Sequence, residues 1–314
     1  MQYAIGVDLG GTHLRAVRLD KQGQILAHGK VKTAAHAGPA AVVDQICALV
    51  AEVSANVPTD AVVGLGVCVA GPVDPDAGIV LEASTLVGWH NVPLRALLAA
   101  RTGLAVTLAN DGNAAALGEW HFGSGQGCRH FVYVTVSTGI GGGVIVDGRL
   151  LLGRKGMAGE VGHMIVDPNG PRCNCGAHGC WEAFAAGTAL ARNAQAAQAG
   201  APDSLLHRWA QERPLTAKDV IDAVQMDDAL ARRLVHDEGE WLGIGISNLL
   251  HLYSPEHIAV GGGLSNALSL FLPQIEHAIQ TRAMPPFRDV PIVPAALGDN
   301  AGVVGAGALV FGGG

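Results

Sequence analysis

Tyr3-Ala4-Ile5-Gly6-Val7-Asp8-Leu9-Gly10-Gly11-Thr12 begins as an apolar strand and ends in an acid, two glycines and a hydroxyl. Two further strands read from Leu14 to Leu19 and from Gln24 to Lys30, joined through Asp20-Lys21-Gln22-Gly23, so both connections carry turn residues. In 39–56 the apolar positions Val42, Ile46, Leu49 and Val53 recur at helical spacing, and 62–69 reads as a buried strand. The order is β-β-β-α-β. It starts again at Phe131, with a strand ending Thr135-Val136-Ser137, the turn Thr138-Gly139-Ile140-Gly141-Gly142-Gly143, a strand at 144–146, the turn Asp147-Gly148 and a third strand. Such a repeat predicts an α/β duplication, two related lobes with mixed sheets around a central cleft. The expected lobes are 1–120, joined by a C-terminal helix at about 300–314, and 121–299, carrying an inserted module at about 160–182.

The composition agrees. Of 314 residues, 49% are hydrophobic and 15% charged, enough apolar surface for two packed cores and too much for a disordered chain. The net charge of -7, without a Lys/Arg run, argues against a nucleic-acid partner, which needs basic surface to displace counterions. The N-terminus lacks a basic segment followed by a long apolar one, and no uninterrupted apolar run reaches about 18 residues, so a cytoplasmic protein with no membrane partner is expected. Cys47, Cys68 and Cys128 stand singly, whereas Cys173, Cys175 and Cys180 cluster, which in a cytosolic chain points to metal rather than disulfide.

Paired glycines let backbone N–H groups approach phosphate oxygens without Cβ interference. Gly10, Gly11, Thr12, Thr138 and Gly139 are therefore expected to cradle the phosphates of ATP, with Asp8 holding Mg²⁺ through water. A strand follows each turn, unlike a dinucleotide fingerprint, which opens a helix, and no Gly-Lys-Ser/Thr ends either one as a P-loop requires. Gly261-Gly262-Gly263 follows a strand and precedes a helix; it reads equally as a simple turn or as a nucleoside-binding edge.

Asn110-Asp111-Gly112-Asn113 follows an apolar strand and starts an amphipathic stretch at 114–120. A carboxylate at a strand end can take the proton of a substrate hydroxyl as it attacks a γ-phosphate; Asn and Asp are also the best helix N-caps. With Glu160, His163 and Glu182, the pair Asn110 and Asp111 can form a cage for sugar hydroxyls. In Cys173-Asn174-Cys175-Gly176-Ala177-His178-Gly179-Cys180, three thiolates and one imidazole would saturate Zn²⁺ and leave no position for an activated water, so the metal is expected to be structural. His178 competes with His163 as fourth ligand. His163 is preferred because its second nitrogen would remain for the sugar.

Asp8-Leu9-Gly10-Gly11-Thr12, Asn110-Asp111, Glu160-Val161-Gly162-His163 and Cys173-x-Cys175-Gly176-x-x-Gly179-Cys180-x-Glu182 together resemble the ROK family of repressors and sugar kinases, in order over essentially the whole chain. The resemblance implies the actin-like ATPase/ribonuclease H-like duplicated fold, ATP-Mg²⁺ between the lobes, Asp111 as catalytic base, and a homo-oligomer, dimer or tetramer. Ala70-Gly71-Pro72-Val73 and 134–139 look like bacterial glucokinases, which makes Gly71 a sugar-pocket residue and glucose the first-choice acceptor. Gly112, where family glucokinases usually carry Ala, and Ser84-Thr85-Leu86, where they carry Pro-Asn-Leu, look more like the N-acetylmannosamine kinase branch. N-acylhexosamine and fructose kinases stay open, as does a sugar-responsive regulator. Transcriptional members place a DNA-binding module before the first sheet, and here the first strand starts at Tyr3.

Overall fold

A computed structural model describes residues 1–312. Its first stretch contains β1 (Tyr3–Leu9), β2 (His13–Leu19), β3 (Ile25–Lys32), α1 (Gly38–Val53), β4 (Val62–Val69), β5 (Val73–Asp74), β6 (Ile79–Glu82), β7 (His90–Val92), α2 (Leu94–Thr102), β8 (Val106–Asn110) and α3 (Asp111–Phe122). Then come β9 (Phe131–Val136), β10 (Ile140–Val146), β11 (Arg149–Leu150), α4 (Trp181–Ala185), α5 (Gly187–Ala197), α6 (Leu205–Ala210), α7 (Ala217–Gln225) and α8 (Ala229–Tyr253). The chain closes with β12 (His257–Gly261), α9 (Leu268–Arg282), β13 (Ile292–Pro294) and α10 (Ala301–Ala308). Residues 313 and 314 of the expected C-terminal helix lie outside the described residues.

Two five-stranded sheets have the orders β3-β2-β1-β4-β8 and β11-β10-β9-β12-β13, the same pattern strand for strand, as the repeat predicts. Within the first, β1 runs antiparallel to β2 and parallel to β4, and β4 runs parallel to β8. The small sheet β5-β6-β7 has no counterpart in the sequence reading. No helix among the described residues is long and apolar enough to cross a membrane.

By internal contacts the chain forms two compact units. The first comprises 1–133, 143–159 and the chain from Ala295 onward; the second comprises 134–142 and 160–294. Alternation along β1 and β4 builds the first unit's two layers. Ile5, Val7, Leu65 and Val67 share a core with Val42, Ile46 and Leu49 of α1. The other sheet face is stripped to small residues so that α10 can dock backbone to backbone. A Cβ on Gly66 would sit 1.7 Å from the Ala306 carbonyl oxygen, and one on Gly6 would sit 2.1 Å from that of Val303. On its far side α10 meets α3 as closely, since a Cβ on Gly305 would lie 1.7 Å from Ala114 O. α3 is therefore buried from Gly112 to Glu119 on every face, which corrects the amphipathic stretch expected there. The Glu119 carboxylate, fully buried, accepts hydrogen bonds from the Ser124 hydroxyl and from the N–H groups of Ser124, Ala296 and Leu297.

The second unit's helices pack on one another around Trp181, whose indole N–H donates to Trp241 O at 2.8 Å. Extended backbone at Ala186 separates α4 from α5.

Candidate active site and metal centre

In the first unit, parallel register sets the site. Leu9 pairs with Val69, and Val69 with Asn110, so β1, β4 and β8 end in one row. The loops that leave this row carry Gly10 to Thr12, Gly71, and Asn110 with Asp111, the arrangement in which open α/β sheets bind ligands. Asn110 is the N-cap of α3. Its Oδ1 accepts from the N–H of Gly112 at 2.8 Å, and its Nδ2 donates to Gly71 O at 3.1 Å. Asp111 occupies the first helical position, exposed, where the helix dipole favours its anion. The two neighbours thus differ: Asn110 closes the helix and Asp111 stands exposed beside it.

Asp8 precedes the glycine turn. Arg15, opposite it in the β1–β2 register, donates two hydrogen bonds to Asp8 Oδ2, while Asp8 Oδ1 faces the Cys68 thiol at 3.6 Å. A thiol is a weak donor, which leaves Oδ1 able to accept from the water shell of a cation. Burial first, then the charges of Asp8 and Asp111, pushes the Cys68 thiol far up, so it stays protonated. Gly11 is needed for space: a Cβ there would lie 2.5 Å from Thr85 Cβ.

In the second unit, the turn after β9 places Thr138 and Gly139 beside the third glycine cluster. Gly262, at φ +83°, passes so close that a Cβ would lie 2.5 Å from Val136 O. Thr138 and Gly263 line one wall of a cavity of about 750 Å³, which continues between α5 and α7 past Thr188, Ile221, Leu264 and Leu270. Lys218 and Asp222, paired with each other, add charge at its rim. Gly261 lies at the end of β12, buried.

The metal centre belongs to the same unit. Donor atoms of His163, Cys173, Cys175 and Cys180 all lie within 4.8 Å of one another. Cys175 Sγ and Cys180 Sγ are 3.6 Å apart, and Cys173 Sγ is 3.8 Å from His163 Nδ1. Ligands at about 2.3 Å on a tetrahedron stand roughly 3.8 Å apart, so these spacings fit one zinc-sized ion. The competing histidine is elsewhere, as His178 Nδ1 lies 3.2 Å from Gly170 O. With Nδ1 toward Cys173 Sγ, His163 Nε2 lies 4.0 Å from Glu160 Oε2, beyond direct hydrogen-bond distance. Without an ion, burial pushes the Cys173 thiol up to about 12, whereas the Ala177 amide lowers Cys175. Only a cation would hold all three as thiolates. Glu182 joins this centre to the glycine turn, one oxygen accepting from Ile140 N–H and the other 3.4 Å from Cys173 Sγ.

The description of the ROK family fits residues 4–312 of this chain. The chain belongs to the ROK family. A glucokinase of Thermotoga maritima is 36% identical over 308 residues, covering 98% of this chain and 96% of its own. A ROK family glucokinase from Streptomyces griseus, solved with glucose and AMPPNP, superposes with a TM-score of 0.82 at 37% identity over 98% of both chains. The xylose repressor of Bacillus spizizenii is 28% identical, covering 98% of this chain and 77% of its own. The ROK architecture, an actin-like duplication, is thus shared by kinases and regulators, and the residues must separate them.

Of the residues expected from sequence in this ROK chain, Asp8, Gly10, Gly11, Thr12, Gly71, Asn110 and Asp111 fall in the first unit. Thr138, Gly139, Glu160, His163, the three cysteines, Glu182 and Gly261 to Gly263 fall in the second. Arg15 was not anticipated, and Thr85, read only as part of Ser84-Thr85-Leu86, was not placed beside Gly11. Arg15 was readable from the hairpin register; nothing local pairs Thr85 with Gly11.

Proposed function

We propose that the protein is an ATP-dependent sugar kinase that phosphorylates a hexose hydroxyl, with glucose, giving glucose 6-phosphate, as the first-choice substrate. One observation carries this reading: Asp111 is an exposed carboxylate at a helix N-terminus, in the row of strand ends that also bears the Asp8 glycine turn. Its Oδ1 accepts from Gly112 N–H, which fixes the side chain while a lone pair remains for a substrate proton. In this reading Asp111 takes the proton of the attacking hydroxyl. Gly71, Asn110, Glu160, His163 and Glu182 bind the other hydroxyls. Thr138, Gly139 and Gly261 to Gly263 bind the nucleotide, whose base and ribose suit the apolar cavity beside Thr138 better than a bare polyphosphate would. Mg²⁺ held by Asp8 would neutralise charge on the phosphates, and Zn²⁺ on His163, Cys173, Cys175 and Cys180 would brace the loop. The glucokinase relatives support the same chemistry.

Gly112 and Ser84-Thr85-Leu86 favour an N-acylhexosamine as the second reading. ADP release measured against hexoses and N-acetylhexosamines decides between them. Asp111→Asn is expected to lower turnover at least a thousandfold while sugar binding persists. Unchanged turnover in that variant refutes the base, and no turnover with any sugar in the wild type favours a sugar-responsive regulator.

A further inference from the structure

At the end of α3 opposite Asp111, two adjoining recesses of about 730 and 490 Å³ share Lys21, His121 and Phe122. Gln22, Trp120 and Gln126 line the first, and Gln2 and Phe311 the second. We propose that they form a second ligand site, built for a phosphorylated sugar.

The walls are held in place before any ligand arrives. The Trp120 indole N–H donates to Cys128 O at 2.7 Å, which fixes its face. Phe122 packs so closely on Gly23 that a Cβ there would lie 2.4 Å from its ring. Asp20 Oδ1 accepts from the N–H groups of Gln22 and Gln24, which sets the turn that presents Lys21. No acidic side chain lines either recess among the described residues, which leaves Lys21 as the one charged side chain facing a ligand there.

Aromatic faces suit the C–H face of a pyranose, three glutamine amides can donate to and accept from hydroxyls, and one ammonium matches one phosphate. An aromatic acid would leave the amides idle, and free phosphate would leave everything idle but Lys21.

A route to the site of reaction exists in α3 itself. The helix is buried from Gly112 to Glu119, its Glu119 is bound by four donors, and Asp111 stands at its other end, about 15 Å away by helical rise. Occupancy of the recess would therefore shift Asp111 and slow turnover, a form of product feedback. The binding rests on the recess alone; the effect on turnover also rests on the kinase reading.

The test is calorimetric titration of the full chain with glucose 6-phosphate, with glucose and an unhydrolysable ATP analogue present to fill the site of reaction. Binding should persist there, weaken at least tenfold in Lys21→Ala, and exceed that of inorganic phosphate at least tenfold. Lys21→Ala should keep its turnover in the absence of added product and lose inhibition by it. No binding under these conditions, equal binding by Lys21→Ala, or equal binding of inorganic phosphate would each overturn the site. Should no sugar be turned over at all, the titration still tests the recess while the kinase reading fails separately.

Discussion

Glu182 accepts a hydrogen bond from the backbone N–H of Ile140 at 3.0 Å, and that contact links the cysteine loop to the turn that carries Thr138 and Gly139. With its other oxygen beside Cys173 Sγ, Glu182 makes the metal centre and the second glycine turn one mechanical piece. Loss of either partner should be felt by the other.

Stripping the metal with a chelator, or changing Cys175→Ser, is expected to lower the melting temperature by about 5 °C or more and to raise the sugar KM. Metal analysis of active protein should give about one zinc per chain. Active protein free of zinc would end the structural-metal reading.

Glu238 lies on α8 with both carboxylate oxygens buried and unpartnered among the described residues. Burial pushes its carboxyl far up, with Arg192 opposing, so the folded chain holds a proton that the unfolded chain releases above about pH 4.3. A raised carboxyl stabilises less as pH climbs from there toward the folded value. Glu238→Met should therefore stabilise by about 1–3 kcal/mol near neutrality, and by less at pH 4. Thermal unfolding at the two pH values checks this, and a destabilised variant near neutrality would contradict it.

Asp219 behaves oppositely. The Arg213 guanidinium holds its carboxyl well below the usual range against burial, helped by the hydroxyl and N–H of Thr216 in a capping box at the start of α7. A depressed carboxyl stabilises fully above the unfolded value near 3.9, and that contribution is lost as pH falls below it. Because Arg213 is exposed, the cap matters more than the ion pair. Asp219→Asn is expected to lower the melting temperature by a few degrees at pH 7 and to narrow the gap to wild type at pH 3. A gap that widens in acid would refute the assignment.

Gly66→Ala should cost about 3 kcal/mol or more, since its methyl would meet the backbone oxygen of Ala306 and neither the strand nor α10 can yield cheaply. Denaturant unfolding measures it. A loss under about 1 kcal/mol would show that α10 is not held against the sheet.

The duplication was legible because each glycine turn follows a strand of buried β-branched residues, a pattern that depends on neighbours in sequence. The four metal donors were legible for the same reason, three of them falling within eight residues. What stayed hidden depends on distant partners. β5, β6 and β7 are two to four residues long, too short for alternation to show. α3 has no polar face because α10, far away in sequence, covers the side that would have been wet. The cavity between α5 and α7 is a property of how helices lean on one another, and Thr188 and Lys218 give no sign of it locally.

The docking of α10 against Gly6 and Gly66 also bears on biosynthesis. The first strands leave the ribosome long before the helix that fills the layer behind them, so their stripped face must wait, uncovered, until α10 has emerged. A chain halted before residue 301 should thus display a protease-sensitive N-terminal region, and one extended through α10 should not.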